Sequence, residues 1–453
     1  MPRIKLDAEQ EAAVERMVNE PTRAALNASQ YGTGKTVVTV EVAARLGGSI
    51  QLIIAPLGTK YSWKGTILSQ YPESEVRFIN SSKSGKLALA DLVSGVAGWY
   101  IIGREYFATK SVREQILPKS HLIDFAAYDE CQKWSNYKSQ GWRNVMKKFK
   151  PKYKMALSAT PAGNKFSGLY TITHWLWPKY EGHDSFWTFV GEHCEVEQDF
   201  FSGTVITGEK APAGHYVNNL PCYIQLEKDF GEPIEVQYEI DLSPAERRIY
   251  DAFEKTMIVW LKENPLVAKF PITKRIRLRQ MTLGMVTVDE NENVYFDKDM
   301  VSSKYNTLKE ILGDHNEPAL ILTDSAKYAN VVAWQLIRDG YKALPWTGEV
   351  PEKERHAVKD AFVNGDIDYI VATIPSIGEG IDGLQHRARL MIWLSRSDNN
   401  MLNQQAFRRL YRRGQNKQVV SIDIVARDTY DSGVLSTLIQ TQLKINASLK
   451  KEG

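Results

Sequence analysis

The sequence of 453 residues has only three cysteines, no long hydrophobic run and little excess of either charge. Cys131, Cys194 and Cys222 have no paired spacing, which argues against a disulfide framework or a zinc knuckle and predicts a reducing compartment. No apolar run approaches membrane-spanning length. Charges at the amino terminus predict no secretory signal. The net charge of +3 does not by itself indicate nucleic-acid binding, so any such surface must be local.

The most informative segment present, residues 29–36, reads Ser-Gln-Tyr-Gly-Thr-Gly-Lys-Thr. An apolar run precedes it and a helical pattern follows it, which is typical of a phosphate-binding loop. The glycines let backbone N–H groups face a phosphate, and the following helix adds the positive end of its dipole. We predict that Lys35 reaches the β- and γ-phosphates of ATP and that Thr36 binds Mg²⁺. The other predicted nucleotide-binding residues of the loop are Gly32, Thr33 and Gly34.

Two adjacent acids, Asp129 and Glu130, end the apolar run that begins at Leu122. A strand that ends in acids places them at the crevice of an open α/β sheet, beside the phosphate loop. Asp129 can hold Mg²⁺ and Glu130 can orient the attacking water. Taken alone, the same pair is equally compatible with a solvated turn.

Four motifs follow the order and approximate spacing of the superfamily-two helicases and translocases, which the sequence resembles. They are the loop at 29–36, the acid motif at 129–132, Ser-Ala-Thr at 158–160 and an arginine motif at 405–415. The arginine motif is similar to that of the Swi/Snf-type branch, which usually reads Gln-Ala-x-Asp-Arg-x-His-Arg-x-Gly-Gln. Arg408 and Tyr411 replace its acid and histidine. The matching residues are Gln405, Arg409, Arg412, Gly414 and Gln415.

The resemblance implies ATP on the first of two RecA-like lobes, with Arg409 and Arg412 of the second lobe stabilising charge on the transferring phosphoryl group. Gln10 is the candidate for adenine recognition. Asp7 and Gln10 also have the spacing of a helix capping box, and the two roles are compatible. The resemblance further implies a catalytic role for Gln132, an ATP-cleft position for Gly380 and Asp382, and coupling roles for Ser158, Thr160 and Gln405.

Nucleic-acid contacts are implied by the resemblance at strand ends of both lobes. Hydroxyls, glycines and exposed N–H groups at such ends suit sequence-independent binding of phosphates. Ordinary turn chemistry is the open alternative. The residues concerned are Pro56, Thr59 and Lys60 in lobe one and Thr347, Gly348 and Thr373 in lobe two.

The organisation predicted is an α/β protein in which strands and helices alternate twice, with a parallel sheet in each lobe and the ATP cleft between the lobes. Lobe one spans 1–161 and lobe two spans 304–453. The predicted strands are 24–28, 51–55, 99–102, 122–128 and 155–157, then 319–322, 343–344, 369–372, 390–394 and 420–425. The predicted helices of lobe two are 327–338 and 399–412.

Residues 162–303 form a predicted connecting segment, mostly helical and rich in aromatics, with a loop or hairpin in 203–221. Its aromatic cluster is interpreted as a small core of this insertion, with base stacking as the alternative. The cluster comprises Trp175, Trp177, Tyr180, Phe186, Trp187 and Phe189. Ser243 and Pro244 predict a helix start. The basic run 274–279 fits either a solvated helix face or phosphate contact.

The function predicted is an ATP-driven nucleic-acid motor with ATP and Mg²⁺ as cofactors. The Swi/Snf-type motif favours a DNA translocase that works in replication, repair or recombination, similar to small helicase-like proteins of bacteriophages and bacteria. The alternatives are a helicase that unwinds RNA and a nucleic-acid-binding scaffold that uses ATP only as a conformational ligand. We expect a cytoplasmic monomer that binds DNA in preference to RNA, without membrane association or structural metal.

Overall fold

The computed structural model describes residues 3–30, 32–163, 165–178, 185–199, 203–212, 214–227, 231–261, 264–268, 271–289, 293–378, 383–412 and 414–449. The chain divides into two compact units. The first unit comprises Met1–Lys228 with Thr441–Gly453, and the second comprises Asp229–Gln440. The division at residue 228 lies inside the range predicted as a connecting segment.

The first unit is built on a parallel sheet whose inner strands are mostly apolar. Its strands and one hairpin are, in chain order, β1 (Ala24–Asn27), β2 (Ile50–Ala55), β3 (Val76–Ile79), β4 (Gly98–Gly103), β5 (Phe125–Asp129), β6 (Tyr153–Leu157), β7 (Cys194–Asp199), β8 (Gly203–Glu209) and β9 (Tyr223–Ile224). Seven of them form the sheet, in the order β3-β4-β2-β5-β6-β1-β9. All its ladders are parallel, so the carboxyl ends of β1, β5 and β6 share one edge.

Ten helices of the described residues belong to the first unit, and two of them begin next to predicted site residues. They are α1 (Ala8–Val18), α2 (Lys35–Arg45), α3 (Lys60–Gln70), α4 (Lys83–Val93), α5 (Arg104–Ala108), α6 (Lys110–Lys119), α7 (Gln140–Asn144), α8 (Leu169–Leu176), α9 (Phe186–His193) and α10 (His215–Asn218). The helix α2 starts at the end of the phosphate loop, and α3 starts at Lys60. The sheet edge and these two helix starts therefore position the candidate site.

The second unit repeats the architecture with a six-stranded parallel sheet. Its strands are β10 (Ile234–Ile240), β11 (Ile258–Leu261), β12 (Asn264–Val267), β13 (Val286–Val288), β14 (Val294–Phe296), β15 (Ala319–Thr323), β16 (Ala343–Trp346), β17 (Tyr369–Thr373), β18 (Leu390–Trp393) and β19 (Val420–Ala426). The sheet order is β10-β19-β18-β15-β17-β16, and its ladders are parallel. Alternate residues of β15 enter two hydrophobic cores, Ile321 in one and Leu320 in the other. Both faces of the sheet are therefore covered.

The helices of the second unit confirm one sequence prediction and correct another. They are α11 (Pro244–Thr256), α12 (Pro271–Leu283), α13 (Ser303–His315), α14 (Ala326–Arg338), α15 (Glu352–Asn364), α16 (Ile374–Ile377) and α17 (Asn400–Phe407). A last helix, α18 (Tyr430–Leu449), begins in the second unit and ends in residues assigned to the first. The predicted helix 327–338 is α14. The prediction of a helix over 399–412 was wrong at its end, because α17 stops at Phe407 and the chain turns there. Arg409 and Arg412 thus lie beyond the helix.

The predicted fold class is confirmed, with strands and helices alternating around a parallel sheet in each unit. Burial on both faces explains why continuous apolar runs predicted the inner strands. The strand β10 was not predicted. It lies in the segment expected to be mostly helical, yet it pairs along its whole length with β19, from Ile234 beside Val420 to Ile240 beside Ala426.

The aromatic cluster is a core, as predicted, but it belongs to the first unit and is not a separate small core. The Trp175 indole N–H donates to the Phe149 carbonyl at 3.0 Å, and the Trp177 N–H donates to the Thr22 hydroxyl at 3.0 Å. Phe186 and Phe189 are buried in the same core. Trp187 is the exception, with 55% of its surface exposed. Tyr180 lies outside the described residues.

The structure bears on three local predictions for residues 203–279. A hairpin is present but begins before the predicted range, since β8 pairs antiparallel with β7, which starts at Cys194. The helix start is confirmed, because Ser243 caps α11 in a capping box with Glu246. The basic run lies on α12, where Arg279 forms ion pairs with Asp324 and Asp398. No helix in the part of the chain that the structure describes is long and apolar enough to cross a membrane.

Candidate active site

The phosphate-binding loop connects β1 to α2 in the predicted strand–loop–helix arrangement. Gly32 and Gly34 have φ values of 78° and 84°, a left-handed backbone that favours glycine. A Cβ atom on Gly34 would also lie 2.5 Å from the Gln10 Nε2 atom. The Lys35 Nζ atom donates to the carbonyls of Ser29 at 2.7 Å and Gln30 at 3.0 Å. The lysine therefore lies across the loop that would hold the phosphates.

Ser29, at a position where this motif usually has glycine or alanine, ties the loop to β9. The Ser29 hydroxyl accepts the N–H of Leu226 at 2.9 Å, and the Leu226 carbonyl accepts the N–H of Gln30 at 2.9 Å. The Ser29 N–H donates to the Asn27 side chain at 3.1 Å. The departure from the motif thus has a structural role. The sequence carried no signal that the Leu226 backbone supports the loop.

Gln10 is completely buried between the start of α1 and the phosphate loop. Its Oε1 accepts the N–H of Asp7 at 3.0 Å, while Asp7 Oδ1 accepts the N–H of Gln10 at 2.9 Å. The predicted capping box is therefore confirmed. The Gln10 Nε2 atom also donates to the Thr33 carbonyl at 2.7 Å. One amide thus joins the helix cap to the loop, and its role in adenine recognition remains a prediction.

We expect Gln10→Ala to lower both the stability of the protein and its preference for ATP over GTP. The substitution removes the bonds to Asp7 and Thr33, which should cost about 1–2 kcal/mol of unfolding free energy. Denaturant unfolding and competition between ATP and GTP measure the two effects. Gln10→Glu is the matched control, because it keeps the acceptor for Asp7 and loses the donor. Equal loss of ATP and GTP affinity in both variants would contradict adenine recognition.

The two acids lie at the carboxyl end of β5, as predicted, and each is held by a donor. Asp129 Oδ1 accepts the N–H of Glu130 at 3.0 Å, and Asp129 Oδ2 accepts the indole N–H of Trp63 at 3.0 Å. The Glu130 carboxylate accepts the side-chain N–H of Gln132. Glu130 itself has a φ of 51°, a left-handed conformation that is uncommon for a non-glycine residue.

The electrostatic surroundings of Asp129 connect the acids to the loop. Burial raises the pKa of Asp129 above its usual range, and the neighbouring Glu130 carboxylate raises it further. The hydrogen bond from Trp63 and the positive charge of Lys35 lower that pKa and partly offset the rise. The lysine and the acid are therefore close enough to interact. The loop and the acid motif form one site within the first unit.

The donor set of this site fits Mg²⁺ bound together with a nucleotide. Mg²⁺ takes hard oxygen ligands, and in nucleotide sites it uses one or two protein groups with phosphates and water. Thr36 offers a hydroxyl at the start of α2, and Asp129 offers a carboxylate. No cluster of three or more histidine, cysteine or acidic residues that could hold a metal occurs in the described ranges.

The predicted coupling residues of the first unit follow β6, beside the acids. The Ser158 N–H donates to the Asn27 carbonyl at 3.2 Å, and the Ser158 hydroxyl accepts the N–H of Thr160 at 2.9 Å. The Thr160 hydroxyl and the Gln132 Oε1 atom are both buried and have no hydrogen-bond partner among the described residues. Since β6 lies between β1 and β5, the structure brings these residues to the edge that carries the loop and the acids.

The predicted contacts of the second unit lie at the ends of β16 and β17. Thr347 is completely buried, and no residue that the structure describes forms a hydrogen bond with its hydroxyl. The Thr373 hydroxyl lies 2.6 Å from that of Ser376. Gly348 faces open space where a side chain would lie. Gly380 and Asp382 lie outside the described residues.

In the first unit, the Thr59 hydroxyl donates to the Pro56 carbonyl at 2.8 Å. These nucleic-acid roles remain predictions.

The arginine motif begins on α17 and continues into the turn after it. The Arg409 guanidinium donates to the Gly378 carbonyl, next to the Gln405 side chain. Arg408 lies 4.9 Å from the ring centre of Tyr411. The two residues that depart from the family pattern thus contact each other as a cation and an aromatic ring. They replace the acid and histidine as a pair.

Comparison with protein families finds one matching range in each unit. Residues 3–163 match the family described as "Type III restriction enzyme, res subunit". Residues 303–414 match "Helicase conserved C-terminal domain". The two ranges contain the loop with the acids and the arginine motif, respectively.

Individual relatives are distant. The chain is 21% identical to the "Uncharacterized ATP-dependent helicase YqhH" of Bacillus subtilis, over 94% of this chain and 76% of the relative. It is 21% identical to the "Chromatin-remodeling ATPase INO80" of Schizosaccharomyces pombe, over 51% of this chain and 15% of the relative. A solved structure, "Sulfolobus solfataricus SWI2/SNF2 ATPase core in complex with dsDNA", aligns over 99% of this chain and 94% of its own, with 18% identity and a TM-score of 0.43. The chain therefore carries the paired domains of the superfamily-two helicases and translocases, is an ATP-hydrolysing motor protein, and resembles the Swi/Snf-type branch in its arginine motif.

Proposed function

We propose that the protein is a DNA translocase that couples hydrolysis of Mg-ATP to movement along DNA. The observation that carries this proposal is the Swi/Snf-type arginine motif in a unit without a phosphate-binding loop, on a chain whose other unit carries the loop and the acids. Relatives named chromatin-remodeling ATPases favour DNA as the track.

In this proposal the residues of the first unit hold ATP and activate water. Lys35 neutralises phosphate charge, and Thr36 and Asp129 hold Mg²⁺. The metal would neutralise charge that develops on the phosphate oxygens. Glu130, whose carboxylate Gln132 orients, positions the attacking water. Arg412 acts as the arginine finger, with Arg409 as the second candidate.

Movement would come from the predicted backbone contacts of the two units. Pro56, Thr59 and Lys60 belong to the first unit, whereas Thr347, Gly348 and Thr373 belong to the second. Nucleotide binding and hydrolysis would shift the two sets relative to each other along the DNA backbone. Gly380, Asp382 and Gln405 would connect the second set to ATP.

We expect DNA to stimulate ATP hydrolysis and added salt to weaken DNA binding through counterion release. Steady-state hydrolysis measured in parallel with single-stranded DNA, duplex DNA, a fork and single-stranded RNA tests this prediction. Stimulation by duplex DNA without strand release identifies a translocase, whereas strand release identifies a helicase. Equal rates with and without nucleic acid would contradict a motor.

We further propose a setting for this activity. The three cysteines are buried, and no two of them have a paired spacing in the sequence, which suits the reducing cytoplasm of a bacterial or phage-infected cell. In this setting the protein would act on DNA as a monomer in replication, repair or recombination. No structural metal is required, because the described cores are hydrophobic and large.

A further inference from the structure

The indole ring of Trp63 connects the helix α3 to the acid motif. Trp63 is buried, with 2% of its surface exposed, and it lies in the hydrophobic core of the first unit. Its Nε1 atom lies 3.0 Å from Asp129 Oδ2, although the two residues are 66 positions apart in sequence. A packed indole has few rotamers available, so its N–H is held at a fixed point relative to α3. The donor is therefore preorganised for the carboxylate.

Asp129 depends on this donor for a defined orientation. The torsion that rotates a carboxylate is broad, so a single hydrogen bond leaves it poorly defined. The Glu130 N–H holds Oδ1, and the Trp63 indole holds Oδ2. With both oxygens engaged, the carboxylate plane is set. The remaining lone pairs then point in fixed directions, which a metal with strict octahedral geometry requires.

The less buried part of α3 carries charge and aromatic surface. Lys60, the first residue of α3, lies 4.8 Å from the ring of Tyr61, which is 61% exposed. Lys64 lies 5.5 Å from the ring of Phe78. Trp63 is one helical turn from Lys60. One short helix therefore carries both a predicted phosphate contact and the donor to Asp129.

We propose that Trp63 is a positioning residue that fixes the Asp129 carboxylate for Mg²⁺ and transmits DNA binding at α3 to that acid. A helix moves as a rigid body over one turn, so a displacement of Lys60 displaces the indole N–H. The transmission step rests on the proposed function. The positioning step rests on the ATP site alone, and the two steps are measured separately.

Trp63→Phe tests the positioning step, because it keeps an aromatic ring and removes the N–H. We expect the concentration of Mn²⁺ that half-saturates the ATP complex, followed by electron paramagnetic resonance, to rise about ten- to a hundredfold. Nucleotide affinity without metal should stay within about twofold of the wild type. Trp63→His, which returns a ring N–H, should recover part of the loss.

Trp175→Phe is the matched control, since it removes a buried indole N–H of the same core that donates to the Phe149 carbonyl. It should leave Mn²⁺ affinity unchanged. Unchanged Mn²⁺ affinity in Trp63→Phe, or an equal loss in Trp175→Phe, would overturn the proposal. Failure of Trp63→Phe to fold, seen by circular dichroism, would also overturn it, because the role would then be packing.

The transmission step predicts that Trp63→Phe lowers the ratio of DNA-stimulated to basal hydrolysis at saturating metal, with DNA affinity unchanged. An unchanged ratio with a shifted Mn²⁺ affinity would overturn this step and keep the positioning role. If the wild type shows no stimulation, the proposed DNA function fails, whereas the Mn²⁺ titration still decides the positioning role.

Discussion

Replacing Arg412 by alanine should lower single-turnover ATP hydrolysis about 10³-fold and leave ATP affinity nearly unchanged. An arginine finger acts on charge that develops only in the transition state, so its loss affects the rate and spares binding. Arg412 belongs to the unit without a phosphate-binding loop. A loss of this size would therefore show that both units contribute residues to catalysis. Titration of a fluorescent nucleotide beside single-turnover hydrolysis separates rate from affinity.

Arg427→Ala is the control for a general effect of losing an arginine from the second unit. Arg427 is half exposed and pairs with Glu239 and Asp241 at the surface. Such pairs are worth about 1 kcal/mol or less, so hydrolysis should be unaffected. Near-normal hydrolysis in Arg412→Ala, with circular dichroism like that of the wild type, would exclude Arg412 as the finger. Arg409 would then be tested next.

Lys35→Ala should abolish measurable turnover, with a loss of about 10³-fold or more, and leave DNA binding largely intact. Lys35 is the cation of the phosphate loop, and it is already directed across the loop by the Ser29 and Gln30 carbonyls. Its removal leaves the phosphate charge uncompensated in the ground state and the transition state. Steady-state hydrolysis and DNA binding by fluorescence anisotropy measure the two properties.

Lys83→Ala is a matched control for Lys35→Ala. Lys83 is exposed and begins α4, an 11-residue helix of the same unit, as Lys35 begins the 11-residue helix α2. The two substitutions thus remove the same side chain from the same helix position. Only the helix that follows the phosphate loop should require a lysine at its first position for ATP hydrolysis. A wild-type rate in Lys35→Ala would remove the basis for the ATP-site assignment.

The sequence predicted the inner strands well and, apart from β16, missed the strands at the edges of the sheets. The inner strands β2 and β5 are almost entirely buried, so they appear as nearly continuous apolar runs. At the edge of its sheet, β3 is mostly half-buried and contains Arg77, and no apolar run marks it. The strand β9 has two residues, too few for any pattern.

The residues of the ATP site could be predicted because each belongs to a short motif with its own chemistry. The contacts that hold these residues could not be predicted in this way. Trp63 reaches Asp129 across 66 positions, and Leu226 reaches Ser29 across 197. Such pairs exist only after the sheet has formed, so no local spacing indicates them. The motif supplied the reacting groups, and the tertiary structure supplied their orientation.

The exposed strand β10 shows that the compact second unit is longer than the segment that matches the helicase family. The conserved helicase domain begins at residue 303, whereas β10 ends at Ile240 and belongs to the same compact unit. It covers the backbone edge of β19, every residue of which is buried. A fragment cut at residue 303 would expose that apolar edge to other chains, a known route to aggregation. The smallest autonomous piece of this half of the protein therefore starts some seventy residues before its family signature, near residue 231.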